Sequence, residues 1–416
     1  MKNTSLFTLL CGFFTLMPVA YSHPQTNESG QTITEFAISG LTRTKPHIVE
    51  AALAPFMGCV ADTVDINSVY AALLDTGILE PLAVEIRDAE NDDGKTLVVS
   101  VREKWSVFPI PILFAAEEDV SGGVFFVDTN AFGLNDKFFS GGMYGIDGWM
   151  LVSGYVHSGR KGLPGWSLSG SFAQSERKDS NQNGEDVRRF ALDSGSVSAG
   201  LSYNFAGMPL SAGLRFSYRQ INLKESESPL REPETGARAF GSSAGLSMRR
   251  SRWDGFLLSE DSLSADYGFT AGLEGFSFHE LSLRGTYQKS MLPGFRIKLH
   301  TGLLYQPDVP ALFESSPHAA QVNILPESFK ARHYAGASFA LEKYLFKMSA
   351  GTVSAMAAYQ AVFSDGPVLG RRFDHGAAAS VVFYLSKLAI PAVGLGFAYN
   401  VPAEHFLFAF SLGMSF

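Results

Sequence analysis

The last eleven residues set the pattern for most of the chain. Phe406, Phe408, Phe410, Leu412, Met414 and Phe416 alternate with Leu407, Ala409, Ser411, Gly413 and Ser415. A strand built from them has one greasy face and one small or polar face. Leu210, Ala212, Leu214, Phe216 and Tyr218 alternate likewise with Ser211, Gly213, Arg215, Ser217 and Arg219. Phe295, Ile297, Leu299 and Leu303 are interleaved with Arg296, Lys298, His300 and Gly302. Beyond Trp105 these dyads predict sixteen strands. The first eight start near residues 106, 120, 136, 148, 166, 194, 209 and 239, the second eight near 261, 278, 294, 334, 353, 376, 389 and 405. An even number is what a single-chain antiparallel barrel requires. The long polar connections, Ser175–Asp193, Asn222–Ala237 and Gln306–Lys330, all fall on odd-numbered turns. Short ones, such as Ala206-Gly207-Met208 and Leu292-Pro293-Gly294, fall on even-numbered turns. The two ends of the barrel are therefore expected to differ.

Residues 32–104 read differently. Thr32–Gly40 alternates as a strand, and Lys45–Phe56 suits a helix. Asp65 is placed to cap a second helix, in which Ile66, Val69, Tyr70, Leu73 and Leu74 fall on one face and Gly77 ends the run. Leu79–Asp88 and Thr96–Val101 read as strands joined by a hairpin turn, Asn91-Asp92-Asp93-Gly94. The predicted order is β-α-α-β-β, a small α+β domain. Before it lie a polar linker, 23–31, and a secretory signal peptide, 1–22. The signal consists of Lys2, an apolar stretch from Leu6 to Val19, and the cleavage site Ala20-Tyr21-Ser22. Leu10 precedes Cys11 where lipid attachment would need a small residue.

Composition sharpens this picture in three places. Only 18% of residues are charged, while Gly (41) and Phe (34) are abundant, as an outside that is greasy and an inside that is small and polar would leave it. No apolar run after the signal reaches the roughly 18 residues a membrane helix needs. The net charge of −8 becomes −9 without Lys2, which leaves no basic footprint for nucleic acid. Removing the signal also leaves Cys59 as the lone cysteine, so no disulfide framework forms within one chain. No nucleophile elbow, zinc-binding His-Glu-x-x-His, phosphate loop or paired-cysteine motif occurs. His157, His279, His300, His318, His375 and His405 show no metal spacing. Neither catalysis, cofactor nor metal is expected. Arg215, Arg219, Asp266, Glu280, Arg284 and Lys298 are expected to line a polar lumen, and Trp149, Trp166, Tyr155 and Tyr305 to form an interfacial girdle.

Several local patterns carry a family resemblance. In the small domain they are Ile38-Ser39-Gly40-Leu41, the stretch Leu73–Asp88 and the stretch Leu97–Trp105. In the barrel they are Glu103–Phe114, the N-x-x-G turn within Asp128–Asp136, Ala331-Arg332-His333-Tyr334 at the end of the long sixth outer loop, and Phe363-Ser364-Asp365-Gly366. The chain thus resembles the POTRA-plus-barrel superfamily of outer-membrane assembly and secretion proteins (the bacterial surface antigen family), as a short member with a single POTRA domain.

That resemblance implies a mainly β fold: one POTRA domain, residues 32–104, in the periplasm, then a 16-stranded antiparallel transmembrane β-barrel, residues 106–416, in a bacterial outer membrane. It implies a protein that inserts or translocates polypeptides. The POTRA domain would receive clients, and the barrel seam or lumen would pass them. Partners would be outer-membrane lipid, an unfolded polypeptide client, and periplasmic chaperones or accessory proteins. It also implies that the loop tip, Arg332 with Tyr334, folds back into the lumen. There the arginine would meet Asp365 of the Phe363 motif, with Glu342 as second choice of partner, while Arg371 and Arg372 compete for the role of tip arginine. Phe408, Phe410 and Phe416 would form the C-terminal barrel signal. The rival readings are a passive channel, which needs neither small domain nor loop arginine, and a barrel enzyme, for which no nucleophile recommends itself.

Overall fold

The computed structural model describes residues 30–89, 94–116, 119–159, 163–205, 207–227, 236–254, 257–292, 294–348, 351–366, 370–385 and 391–412. The expected signal peptide, most of the expected linker, the turn residues 90–93 and Phe416 lie outside them. The chain divides into two compact units: Met1–Leu41 with Val49–Arg102, and Thr42–Ile48 with Glu103–Phe416.

The first unit has the expected element order. β1 (Ile33–Ser39) is followed by α1 (Pro46–Leu53), α2 (Ile66–Leu74), β2 (Leu79–Asp88) and β3 (Lys95–Glu103), and the sheet order is β1-β3-β2. β1 and β3 run parallel, from Ile33↔Lys95 to Ser39↔Ser100. Asp65 caps α2 as its sequence position predicts, accepting from the Asn67 N–H at 3.0 Å and the Ser68 hydroxyl at 2.9 Å. Ile33, Leu53, Val69, Leu73, Leu79, Leu97 and Val99 are wholly buried and form the core. Gly40, at φ +91°, closes β1 so tightly that a Cβ would lie 1.9 Å from the Val101 carbonyl oxygen, so only glycine fits there.

Among the described residues the second unit is a single antiparallel sheet of sixteen strands. Its first half is β4 (Val107–Ala116), β5 (Asp119–Ala131), β6 (Asp136–Gly145), β7 (Gly148–His157), β8 (Gly165–Ser180), β9 (Asp186–Asn204), β10 (Leu210–Glu227) and β11 (Ala237–Asp254). Its second half is β12 (Leu257–Gly272), β13 (Ser277–Leu292), β14 (Phe295–Tyr305), β15 (His333–Lys347), β16 (Gly351–Gly366), β17 (Gly370–Leu385), β18 (Pro391–Asn400) and β19 (His405–Leu412). Each strand pairs with its sequence neighbours, and the sheet wraps round until β19 meets β4. At that seam only four residue pairs join the edges among the described residues, from Ala409↔Ala116 to Leu412↔Leu113.

Side chains alternate as the dyads demand. On β15 to β18, Tyr334, Ser338, Glu342, Val362, Ser364, Asp374 and Ala398 are buried inside, while Phe339, Phe363, Phe373 and Phe397 stand exposed on the outer face. Two strand starts differ from expectation. β9 begins at Asp186 rather than near 194, and β17 at Gly370 rather than near 376. Ser175–Asp193 is therefore largely paired strand, with Ser175↔Leu192 and Asp179↔Arg188 in register. The inner face there carries charge instead of small residues, which hides the dyad from a hydropathy reading.

The N-x-x-G turn after β5 holds the segment Thr42–Lys45. Asn130 Nδ2 donates to Thr44 Oγ1 at 2.9 Å, and the Lys45 N–H donates to the Gly133 carbonyl at 2.9 Å. The Glu103 carboxylate accepts from the Thr42 hydroxyl at 2.7 Å and from the N–H groups of Thr42, Arg43 and Thr44 at 2.9, 3.0 and 2.7 Å. The Arg43 guanidinium pairs with Asp128 and reaches Ser106 Oγ at 3.0 Å. Partial burial pushes the Glu103 carboxyl up, but the hydrogen bonds from Thr42, Thr44 and Arg43 outweigh it and hold the group down at about 2.

Candidate functional site

Between β14 and β15 the chain spends Gln306–Arg332 on a loop that folds onto the inner face of the sheet. Its sequence explains why. Val309, Ala311, Leu312, Phe313, Val322, Ile324, Leu325 and Phe329 are too apolar for an aqueous surface loop, and all are buried. They make two seats. The first sets Ala311–Phe313, a single 3₁₀ turn, against Phe190, Leu192, Ile221, Ala237, Ala239 and Phe278. Phe313 lies 5.5 Å from the rings of both Phe276 and Phe278, with the Arg219 guanidinium 5.4 Å above it. The second sets Ala320–Ala331 against Leu304, Tyr334, Val362, Ala398 and Leu407. Glycines make room for it: a Cβ on Gly302 would come within 2.4 Å of Ala320 Cβ, and one on Gly336 within 2.8 Å of Val322 Cγ2. Polar stitches complete the fit. The Asn323 N–H donates to Gln360 Oε1 at 2.6 Å, the Ser180 and Ser328 hydroxyls meet at 2.7 Å, and Gln306 Nε2 donates to Glu280 Oε2 at 2.5 Å.

The charged centre of the loop is Glu314, whose side chain is wholly buried. Arg332 Nε donates to its Oε1 at 2.9 Å, and the equally buried Arg188 of β9 donates to its Oε2. Arg188 also pairs with Asp179 of β8 at 2.7 Å. Asp179 in turn receives Arg177 Nε at 2.7 Å, and the Arg177 guanidinium donates to the carbonyls of Ala311 and Leu312 at 3.0 and 2.9 Å. Two buried carboxylates thus sit among three guanidiniums, with the planar forks spread across both strands and loop.

The pairing differs from the one expected for Arg332. Its main-chain N–H donates to the Asp365 carbonyl at 3.0 Å, but its side chain pairs with Glu314. The reason is sheet parity. The β15–β16 register is unbroken at this end, with His333↔Asp365 and Tyr334↔Ser364. Asp365 therefore shares the outer face with exposed Phe363, whereas Arg332 has the inward parity of buried Tyr334. Asp365 meets Arg371 at 3.4 Å on that outer face, and Arg372 turns inward to Asp374 at 3.2 Å. Glu342 is also inward but ten residues along β15, roughly 33 Å away at about 3.3 Å per residue. There it accepts from Arg296, Lys298 at 2.8 Å and Ser354 at 2.7 Å. The Phe408 ring packs tilted against Phe397 of β18, with centroids 5.1 Å apart, along the outer face. Phe410 pairs with Leu395 and with Ala115 across the seam, and Phe416 lies outside the described residues. Among the described residues no group of three His, Cys, Asp or Glu side chains could hold a metal ion.

The architecture is that of a sixteen-stranded barrel with a long loop seated against its inner wall. No family model matches the chain, and no curated protein sequence matches it. Solved structures do. The chain is similar to BamA from Haemophilus ducreyi lacking POTRA domains 1–3, with TM-score 0.65 and 12% identity over 93% of this chain and 85% of that one. It is similar to CdiB from Acinetobacter baumannii, with TM-score 0.62 and 14% identity over 93% and 74% of the two chains. It is also similar to CdiB from Escherichia coli, with TM-score 0.54 and 14% identity over 96% and 93%. At these identities the likeness is one of fold: this chain has the fold shared by BamA and CdiB.

Proposed function

We propose that this chain is an outer-membrane protein that assembles or secretes polypeptides, with residues 32–104 a POTRA domain in the periplasm and residues 106–416 spanning the membrane. The outward row of Trp166, Leu168, Phe172, Leu201, Leu214, Phe216, Phe339, Phe363 and Phe397 suits contact with outer-membrane lipid. The open edge of a small β-sheet suits capture of an unfolded client by strand addition, and the same domain is where periplasmic chaperones or accessory proteins would deliver one. Arg332 and Tyr334 belong to a device that closes the lumen until a client arrives.

The seated loop carries this reading. A passive channel gains nothing from a long loop held to its inner wall by two apolar seats and by a buried Glu314 paired with Arg188 and Arg332. Depleting the protein is expected to change the levels of other outer-membrane barrels or of secreted proteins. An unchanged outer membrane and unchanged medium, together with a large steady conductance in planar bilayers, would favour the passive channel instead.

A further inference from the structure

Among the described residues the edges of the sheet meet between β19 and β4 from Ala409↔Ala116 to Leu412↔Leu113. One hydrogen bond tells which backbone groups of β4 face that seam. The Thr129 N–H donates to the Ser106 carbonyl at 2.9 Å. In an antiparallel pair the N–H and C=O of one residue point to the same neighbour, and successive residues alternate between neighbours. The β4–β5 register is unbroken from Val107↔Asp128 to Ala116↔Asp119. Even-numbered residues of β4 therefore bond to β5, and odd-numbered residues face β19. The bond from the Ile146 N–H to the Val120 carbonyl, at 3.4 Å, gives the same parity from the other side, since even-numbered residues of β5 serve β6.

The seam-facing positions of β4 are thus Val107, Pro109, Pro111, Leu113 and Ala115. Two of the five have no N–H to give. Among the described residues, which end at Leu412, the ladder uses Ala115↔Phe410 and Leu113↔Leu412. A strand continuing in the same register would next meet Pro111 and then Pro109, where each pair could form at most one of its two hydrogen bonds. The spacing of two is what matters. A proline at an even position would break the β4–β5 ladder, whereas both of these fall where β5 loses nothing. Proline so placed is a device of edge strands that do not accept a partner.

We propose that Pro109 and Pro111 prevent β4 from templating an incoming polypeptide strand, so that a client crosses through the lumen, past the seated loop, as an unfolded chain. This rests on the polypeptide-handling function above and selects passage through the lumen over strand-by-strand growth at the seam. The test uses the full-length protein in detergent micelles with a photoreactive residue at position 110. The probe is a synthetic peptide of the chain's own residues 406–416. The wild type is expected to give no crosslink. P109V/P111V restores two donors, which is worth roughly a tenfold to hundredfold rise in peptide capture. A folded band on unheated gels shows that this variant folds. As a second variant, Leu113→Pro removes another donor and is expected to speed amide exchange at Ala115. Peptide capture by the wild type equal to that by P109V/P111V, or unchanged exchange in Leu113→Pro, would overturn the inference. Depletion separates this from the broader reading. If depletion leaves other proteins unaltered, the function fails. If it alters them while the wild type templates the peptide, only the lumen route fails.

Discussion

Glu314→Gln isolates the charged part of the loop's attachment. The substitution keeps the size of the side chain and leaves Arg188 facing an amide. Removing one member of a buried ion pair costs roughly 3–5 kcal/mol. Asp179 still lies 2.7 Å from Arg188, so the lower end, about 3 kcal/mol, applies here. At about 1.4 kcal/mol per factor of ten, that is roughly a hundredfold shift toward release of the Pro310–Glu314 segment. The apolar seats oppose it. Val322, Ile324 and Leu325 are wholly buried, and burial of three such side chains contributes roughly 5–9 kcal/mol. The hydrophobic term wins, so the loop loosens at one end without leaving the lumen. Planar-bilayer recordings should show brief openings about a hundredfold more frequent than in the wild type, against a closed baseline. Wild-type closed times in Glu314→Gln would refute the role assigned to the buried pair. A steady, fully open pore would refute the dominance of the apolar seats.

Further outcomes follow from the same geometry. Asp365→Asn should leave the loop's behaviour unchanged, with stability altered by no more than about 0.5 kcal/mol, because the carboxylate lies on the outer face; conductance and heat-modifiability of the folded band measure both. Gly302→Val should raise the frequency of openings more than Glu314→Gln does, since even a Cβ there meets Ala320 at 2.4 Å. Glu103, held at about 2, stabilises the attachment of Thr42–Thr44 above its ordinary carboxyl range, and that contribution is lost as the pH falls from about 4.5 toward about 2. Tryptic cleavage after Arg43 in Glu103→Gln should therefore be faster than in the wild type at neutral pH, and an equal rate would contradict the tie.

Much of this architecture was legible from alternation alone. Fourteen of the sixteen barrel strands begin within about four residues of where the dyads place them, and the N-cap at Asp65 stands where the side-chain chemistry put it. The misses share a cause. β8 and β9 extend through Arg177, Asp179 and Arg188, which alternate inward as charges rather than as small residues, so a hydropathy reading takes them for a loop. The partner of Arg332 was hidden for a different reason. The family resemblance sets Asp365 beside it, but whether two side chains share a face depends on a register that only the paired sheet reveals. Glu314 gave no signal of its own, since its loop has no period and its partners lie 126 and 18 residues away. The apolar content of that loop was the available hint: Val322, Ile324 and Leu325 have no reason to sit in water.

The second apolar seat also constrains the order in which the protein can be made. It joins Val322, Ile324 and Leu325 to Ala398 on β18 and Leu407 on β19, the two strands that follow β17 in the sheet. Had the ring closed first, 27 residues would have to be threaded into a finished cylinder and dried against its wall. Seated before β18 and β19 pair, the loop is instead a surface onto which those strands collapse. The plug is then part of the folding nucleus of the closing hairpin, and a chain that misplaces it should stall with its C-terminal strands unattached.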